Sequence, residues 1–149
     1  MRKILSTLIV FFLLLSSALA QSKPARPLGG DEQLIRTLLE EQRQSWNNGE
    51  VEKFMTTYWQ SDSLMFIGKS GITYGWQNTL NNYKKGYPDT ATMGKLTFDI
   101  LEVKRLSVIY FFVVGKWHLT RSMGDAGGYF TLLFKKVKNK WVIVADHSS

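Results

Sequence analysis

The sequence predicts an α+β domain, with three N-terminal helices packed on the concave face of a curved antiparallel sheet to form a cone with a pocket. Three observations carry that reading. Apolar residues recur at helical spacing from Leu34 to Tyr87, with one short extended interruption. From Met93 onward the chain reads as extended segments: "KLTFDILEVKRLS", "VIYFFVVGKWHLTR", "GGYFTLLFKKV" and "KWVIVADHS". The first of these changes phase partway along, as a bent strand does. Helices followed by a meander of strands are the α+β order, and helices laid across a bent sheet enclose a pocket.

The first twenty residues are set apart as a signal peptide, 1–20. Arg2 and Lys3 precede the apolar run "ILSTLIVFFLLL", and "SSALA" places Ala18 and Ala20 at the spacing of a cleavage site. That run is shorter than the roughly 20 apolar residues a bilayer core requires. Cleavage after Ala20 is expected to leave a secreted or periplasmic protein without a stable membrane anchor. The segment 21–30, "QSKPARPLGG", has no periodicity and reads as a flexible linker. The domain follows over 31–149.

Asp31 is placed to cap the first helix, with Leu34, Ile35, Leu38, Leu39 and Trp46 on its apolar face. "NNG" stops it, because Gly49 suits a left-handed terminus. A second helix begins at Glu50 and carries Val51, Phe54, Met55 and Tyr58 on one face. "SLMFIGKSGITYG" reads as two short strands about a glycine turn. Trp76, Leu80, Tyr83 and Tyr87 give a third helix, which Pro88 ends. In the first long strand, Leu96, Phe98 and Ile100 alternate until the phase moves to Leu101 and Val103, marking a β-bulge.

Composition excludes several chemistries. The chain has 149 residues, no cysteine and a formal net charge of +7. Disulfides, thiol nucleophiles and thiolate metal sites are therefore ruled out. Its densest basic run, "KKVKNK", falls at a hairpin tip, and no nucleic-acid motif accompanies it. No nucleic-acid partner is expected. Two histidines and scattered carboxylates show no metal-ligand spacing. No metal and no cofactor are expected.

The final hairpin turns on either "KN" or "NK". Both registers put Phe130, Leu132, Phe134, Trp141, Ile143, Ala145 and His147 on one face, and Asp146 on the other. The first face is the more apolar and is assigned to the helix-covered side, so His147 is expected to point inward. Tyr58, Trp59, Phe66, Trp76, Tyr83, Trp117, Phe130 and His147 form the expected pocket lining, with His147 the candidate acid or base. Gly115 leaves room beside Trp117 for a ligand or for a packed neighbour. "VIYFFVV" is apolar on both alternating sets, which calls for cover on both faces and points to a homodimer through the sheet.

"SWNNGEVEKFMTTYWQSDSLMFIGKSGITYGW", "VVGKWHLT", "GGYFTLLFKK" and "KWVIVADHSS" resemble the nuclear transport factor 2-like superfamily. The likeness runs from Asp31 to Ser149 and is nearest to small secreted bacterial proteins of unknown function related to SnoaL-like and calmodulin-kinase association domains. The resemblance implies a cone with a pocket, commonly a homodimer, and chemistry from isomerase or cyclase to none. Ketosteroid isomerases of the superfamily carry a tyrosine where this chain has Gln42, and a base aspartate near Phe66, where no carboxylate stands between Leu64 and Gly68. Their mechanism is accordingly disfavoured. Three functions stay open: a domain binding a small apolar or aromatic molecule, a cofactor-independent isomerase, cyclase or hydratase using His147, and an oligomerisation module without a ligand.

Overall fold

Helix α1 (Gly30–Asn47) turns Ile35, Leu39, Gln42, Ser45 and Trp46 into the protein. Described in this computed structural model are residues 29–149, so the expected signal peptide and the linker stretch 21–28 lie outside the described residues. The helix starts two residues earlier than expected, with Gly29 at its N-cap. Asp31 does not cap it. Its carboxylate instead accepts hydrogen bonds from Trp141 Nε1 at 3.1 Å, Lys136 Nζ at 3.2 Å and Arg105 Nη2 at 2.9 Å. The start of α1 is thereby pinned to three strands of the sheet. Its other end is fixed by Asn47, whose side chain accepts from Leu96 N–H and donates to Leu96 O.

Gly49, at φ +78°, ends the first helical segment as the sequence predicts. Helix α2 (Val51–Phe54) is shorter than its apolar spacing suggested, passing through a 3₁₀ turn over Met55–Thr57. Tyr58 is already extended and forms a parallel bridge with Ile143. Strands β1 (Met65–Gly68) and β2 (Gly71–Tyr74) form the short hairpin, and α3 (Trp76–Gly86) ends ahead of Pro88. A further short helix, α4 (Thr90–Met93), is capped by Asp89, whose carboxylate accepts from Thr92 N–H at 2.7 Å.

The long strands are β3 (Lys95–Arg105), β4 (Tyr110–Thr120), β5 (Ala126–Val137) and β6 (Lys140–Ser148). They join the hairpin in one six-stranded sheet of order β2-β1-β6-β5-β4-β3. The sheet is mixed rather than wholly antiparallel, because β1 runs parallel to β6. The expected bulge in β3 is present: pairing shifts between Ile100 and Glu102, and Leu101 is the extra residue. The last hairpin turns on Lys138 and Asn139, both at positive φ, which is the "KN" choice.

The core lies between the helices and the inner face of the sheet. Ile35, Leu39 and Met55 meet Val113, Phe134 and Ile143, all almost wholly buried. Gly115 is needed for packing. A Cβ there would lie 2.4 Å from Phe130 Cζ and 2.9 Å from Asp99 O, so the space beside it holds the Phe130 ring.

Candidate functional site: an aromatic cavity with a buried carboxylate

The site depends on a second bulge, in β6. Leu133 pairs with Ala145 and Phe134 with Ile143, leaving Val144 unmatched. One unmatched residue reverses which face every later side chain meets. Trp141 and Ile143 point inward as predicted. Beyond Val144 the faces exchange: Asp146 is buried and His147 is exposed. The expected inward placement of His147 is therefore corrected, and the residue it was expected to exclude takes that position. Ala145, also expected inward, turns outward with His147.

Asp146 Oδ2 accepts the Tyr58 hydroxyl at 2.6 Å, and Oδ1 accepts Ser148 Oγ at 2.8 Å. The extended backbone at Tyr58 sets up the first contact, bringing that residue alongside β6. Burial raises the Asp146 carboxyl to about 6, and the hydrogen bonds it accepts from the Tyr58 and Ser148 hydroxyls only partly oppose it. Burial also pushes the Tyr58 and Tyr83 hydroxyls up, with the Asp146 charge adding to the effect, so both remain protonated donors. A carboxylate offers about four lone-pair sites, so two hydroxyl donors leave it capacity for a ligand donor.

Asp146 lines a cavity of about 1030 Å³. Nine aromatic residues belong to its lining. Tyr83 packs edge-on against Trp46, Phe54 and Phe66, with centroids 5.9, 5.2 and 5.7 Å away, and Phe98 meets Phe130 at 5.4 Å. Trp46 is held by its indole N–H, which donates to Met93 O at 3.1 Å. Trp117 is different. Its Nε1 is buried with no hydrogen-bond partner among the described residues, and its ring lines the same cavity. A buried donor left unpaired carries an energetic cost.

Of the expected lining residues, Tyr58, Phe66, Tyr83, Trp117 and Phe130 do line the cavity. Trp59, Trp76 and His147 do not. The Trp59 ring meets Lys135, whose Nζ lies 6.0 Å from its centroid, and Trp76 donates to Met55 O at 2.9 Å as part of the packing. His118 is exposed beside Asp125, Nε2 to Oδ2 3.2 Å. Gln42, standing where the resemblance implies a tyrosine, is buried on the cavity wall with its amide directed to Phe54 O at 3.4 Å. No carboxylate exists at Phe66, yet Phe66 pairs in register with Asp146 on the neighbouring strand. Sequence reasoning missed Asp146 because the parity of its strand was read without the bulge.

Comparison with family models gives no match, and comparison with curated proteins gives none either. Solved structures do match. A nuclear transport factor 2-like protein of unknown function from Shewanella oneidensis MR-1 is 44% identical, with a TM-score of 0.76 over 78% of this chain and 97% of that one. A ketosteroid isomerase-like protein from Erwinia carotovora atroseptica is 15% identical, with a TM-score of 0.63 over 82% and 97%. A nuclear transport factor 2-like superfamily protein from Salmonella enterica Typhimurium is 18% identical, with a TM-score of 0.62 over 78% and 88%. The last two share the fold alone. With the mixed sheet, the covering helices and a near full-length relative at that first level of identity, the chain belongs to the nuclear transport factor 2-like family.

Proposed function

We propose that this protein binds a small apolar or aromatic molecule in the ring-lined cavity, anchored by a hydrogen bond to Asp146. The observation that carries the reading is the pairing of a largely apolar wall with two polar groups, the Asp146 carboxylate, which keeps acceptor capacity beyond Tyr58 and Ser148, and the unpaired Trp117 indole N–H. Pockets that take small molecules combine such walls with few, well-placed polar atoms. Core packing alone gives no reason to leave a buried indole donor unpaired. Native mass spectrometry of the purified chain tests the reading. A retained organic mass, or a uniform mass increase with added aromatic alcohols, supports it; a bare chain that takes up none of them counts against it.

A second reading rests on the value of about 6 that burial gives Asp146. A carboxylate so tuned, beside a Tyr58 hydroxyl that stays protonated, suits proton transfer near neutral pH in a cofactor-independent isomerase, cyclase or hydratase. Asp146 takes the role expected of His147. A turnover whose pH profile lacks a limb near that value, or that survives Asp146→Asn intact, removes this reading.

The remaining expectations extend the proposal. On the outer face of the sheet Tyr110, Phe112, Val114, Leu133 and Val142 stand half-buried, an apolar surface that a second copy would cover. Export rests on the Ala-Leu-Ala site, and N-terminal sequencing of exported protein is expected to begin at Gln21. Retention of Met1 would contradict it.

A further inference from the structure

The cavity lining carries both signs of charge, a buried carboxylate in the wall and lysines at the surface. Lys69 and Lys85 are exposed residues among its lining, and they mark the mouth together with Ser70 and Gly86. Lys69 sits in the turn between β1 and β2, and Lys85 in the last turn of α3. Neither forms an ion pair among the described residues, whereas the adjacent Lys84 is paired with Glu52. Lys85 also lies where a cation favours a helix C-terminus, but Lys69 has no such role on a helix. A third cation stands nearby: the Arg121 guanidinium eases the Tyr87 hydroxyl downward against its burial, and Tyr87 lines the cavity.

Acid at the mouth is scarce and already engaged. Asp125 is the one side-chain carboxylate there among the described lining residues; it accepts from Arg121 N–H at 3.0 Å and lies 3.2 Å from His118. Residues 1–28 add none, since no Asp or Glu precedes Asp31. The other lining side-chain carboxylate is Asp146, buried in the wall. A ligand anion would be repelled by Asp146 and attracted to the lysines, so a charged ligand has one favoured orientation.

We infer that the natural ligand is an amphipathic acid, with its ring body inside the cavity, its anionic group at the mouth against Lys69 and Lys85, and a hydrogen-bond donor turned toward Asp146. The inference rests on the proposed binding function and names its ligand class. The lysines set the sign of that group and not its geometry, because two flexible ammonium groups on separate elements attract a carboxylate, sulfonate or phosphate alike.

Two probes with the same aromatic skeleton separate this inference from the reading beneath it. Anilinonaphthalene sulfonate carries the anion, and its parent phenylnaphthylamine lacks it. Each is titrated into the full chain and into a Lys69→Gln/Lys85→Gln variant, with the Trp117 indole N–H followed by NMR to locate the probe. The sulfonate is expected to bind roughly three- to tenfold more tightly than the parent at low salt, with the margin shrinking as salt rises. The double variant should lose that margin and leave the neutral probe unchanged. Equal affinities, or a margin that persists in the variant, overturn the anionic mouth while leaving the cavity reading in place. If neither probe shifts the Trp117 signal, the cavity reading fails and the inference fails with it.

Discussion

Tyr58 donates its hydroxyl to Asp146 across 2.6 Å, joining two residues 88 positions apart in the chain. The contact links the end of the helical segment to the final strand inside an apolar wall. A carboxylate in that place is costly when charged, and its raised value records the cost.

The cost has a definite sign in stability. An acid whose folded value lies above its unfolded one contributes stability that is fully present below the unfolded pKa. That contribution is lost as pH rises through the folded value. For Asp146 the window runs from the ordinary 3.8 to about 6. Across it the wild type should lose on the order of 3 kcal/mol relative to Asp146→Asn, which cannot titrate. Urea denaturation of both proteins at several pH values measures the difference. A constant gap across the window would mean that the carboxyl is not desolvated.

Gly115 is expected to tolerate no side chain. Its Cβ would meet the Phe130 ring at 2.4 Å and the Asp99 carbonyl oxygen at 2.9 Å, and the second of these is backbone. Gly115→Ala should destabilise the fold by about 1–3 kcal/mol and displace Phe130 into the cavity, weakening ligand binding as well. An unchanged denaturation midpoint would show that the strand shifts freely.

The apolar outer face predicts self-association. Light scattering at micromolar concentration should return a dimer, and Phe112→Lys should return a monomer with its far-ultraviolet circular dichroism intact. A wild-type monomer would mean that the half-buried Phe112 and Leu133 stay open to water.

How far the sequence revealed this arrangement is clearest in its two bulges. In β3, polar Asp99 and Glu102 stand on either side of Ile100 and Leu101, so the phase change is visible in the letters. In β6, Val142 to Ala145 are all apolar, and such a run fits either parity. The bulge at Val144 therefore left no mark, and Asp146 and His147 were exchanged. Tyr58 shows a related limit. It continues the helical spacing of Val51, Phe54 and Met55, yet a 3₁₀ turn releases it into extended backbone. Helix stops at Gly49 and before Pro88 were legible because they depend on local backbone chemistry. The cavity wall was partly legible, since Tyr83 and Phe130 follow from the faces of α3 and β5. Its carboxylate came from pairing between distant strands, which local spacing does not encode.

Isothermal titration of naphthol, an aromatic body with a single O–H donor, tests the central claim most directly. At about pH 8 Asp146 is ionised and the ligand hydroxyl still carries its proton. The account predicts binding of one molecule per chain, weakened roughly tenfold by Asp146→Asn, because the hydrogen bond loses its charged acceptor. No saturable heat, or equal affinity for wild type and variant, would contradict a cavity that recognises its ligand through Asp146.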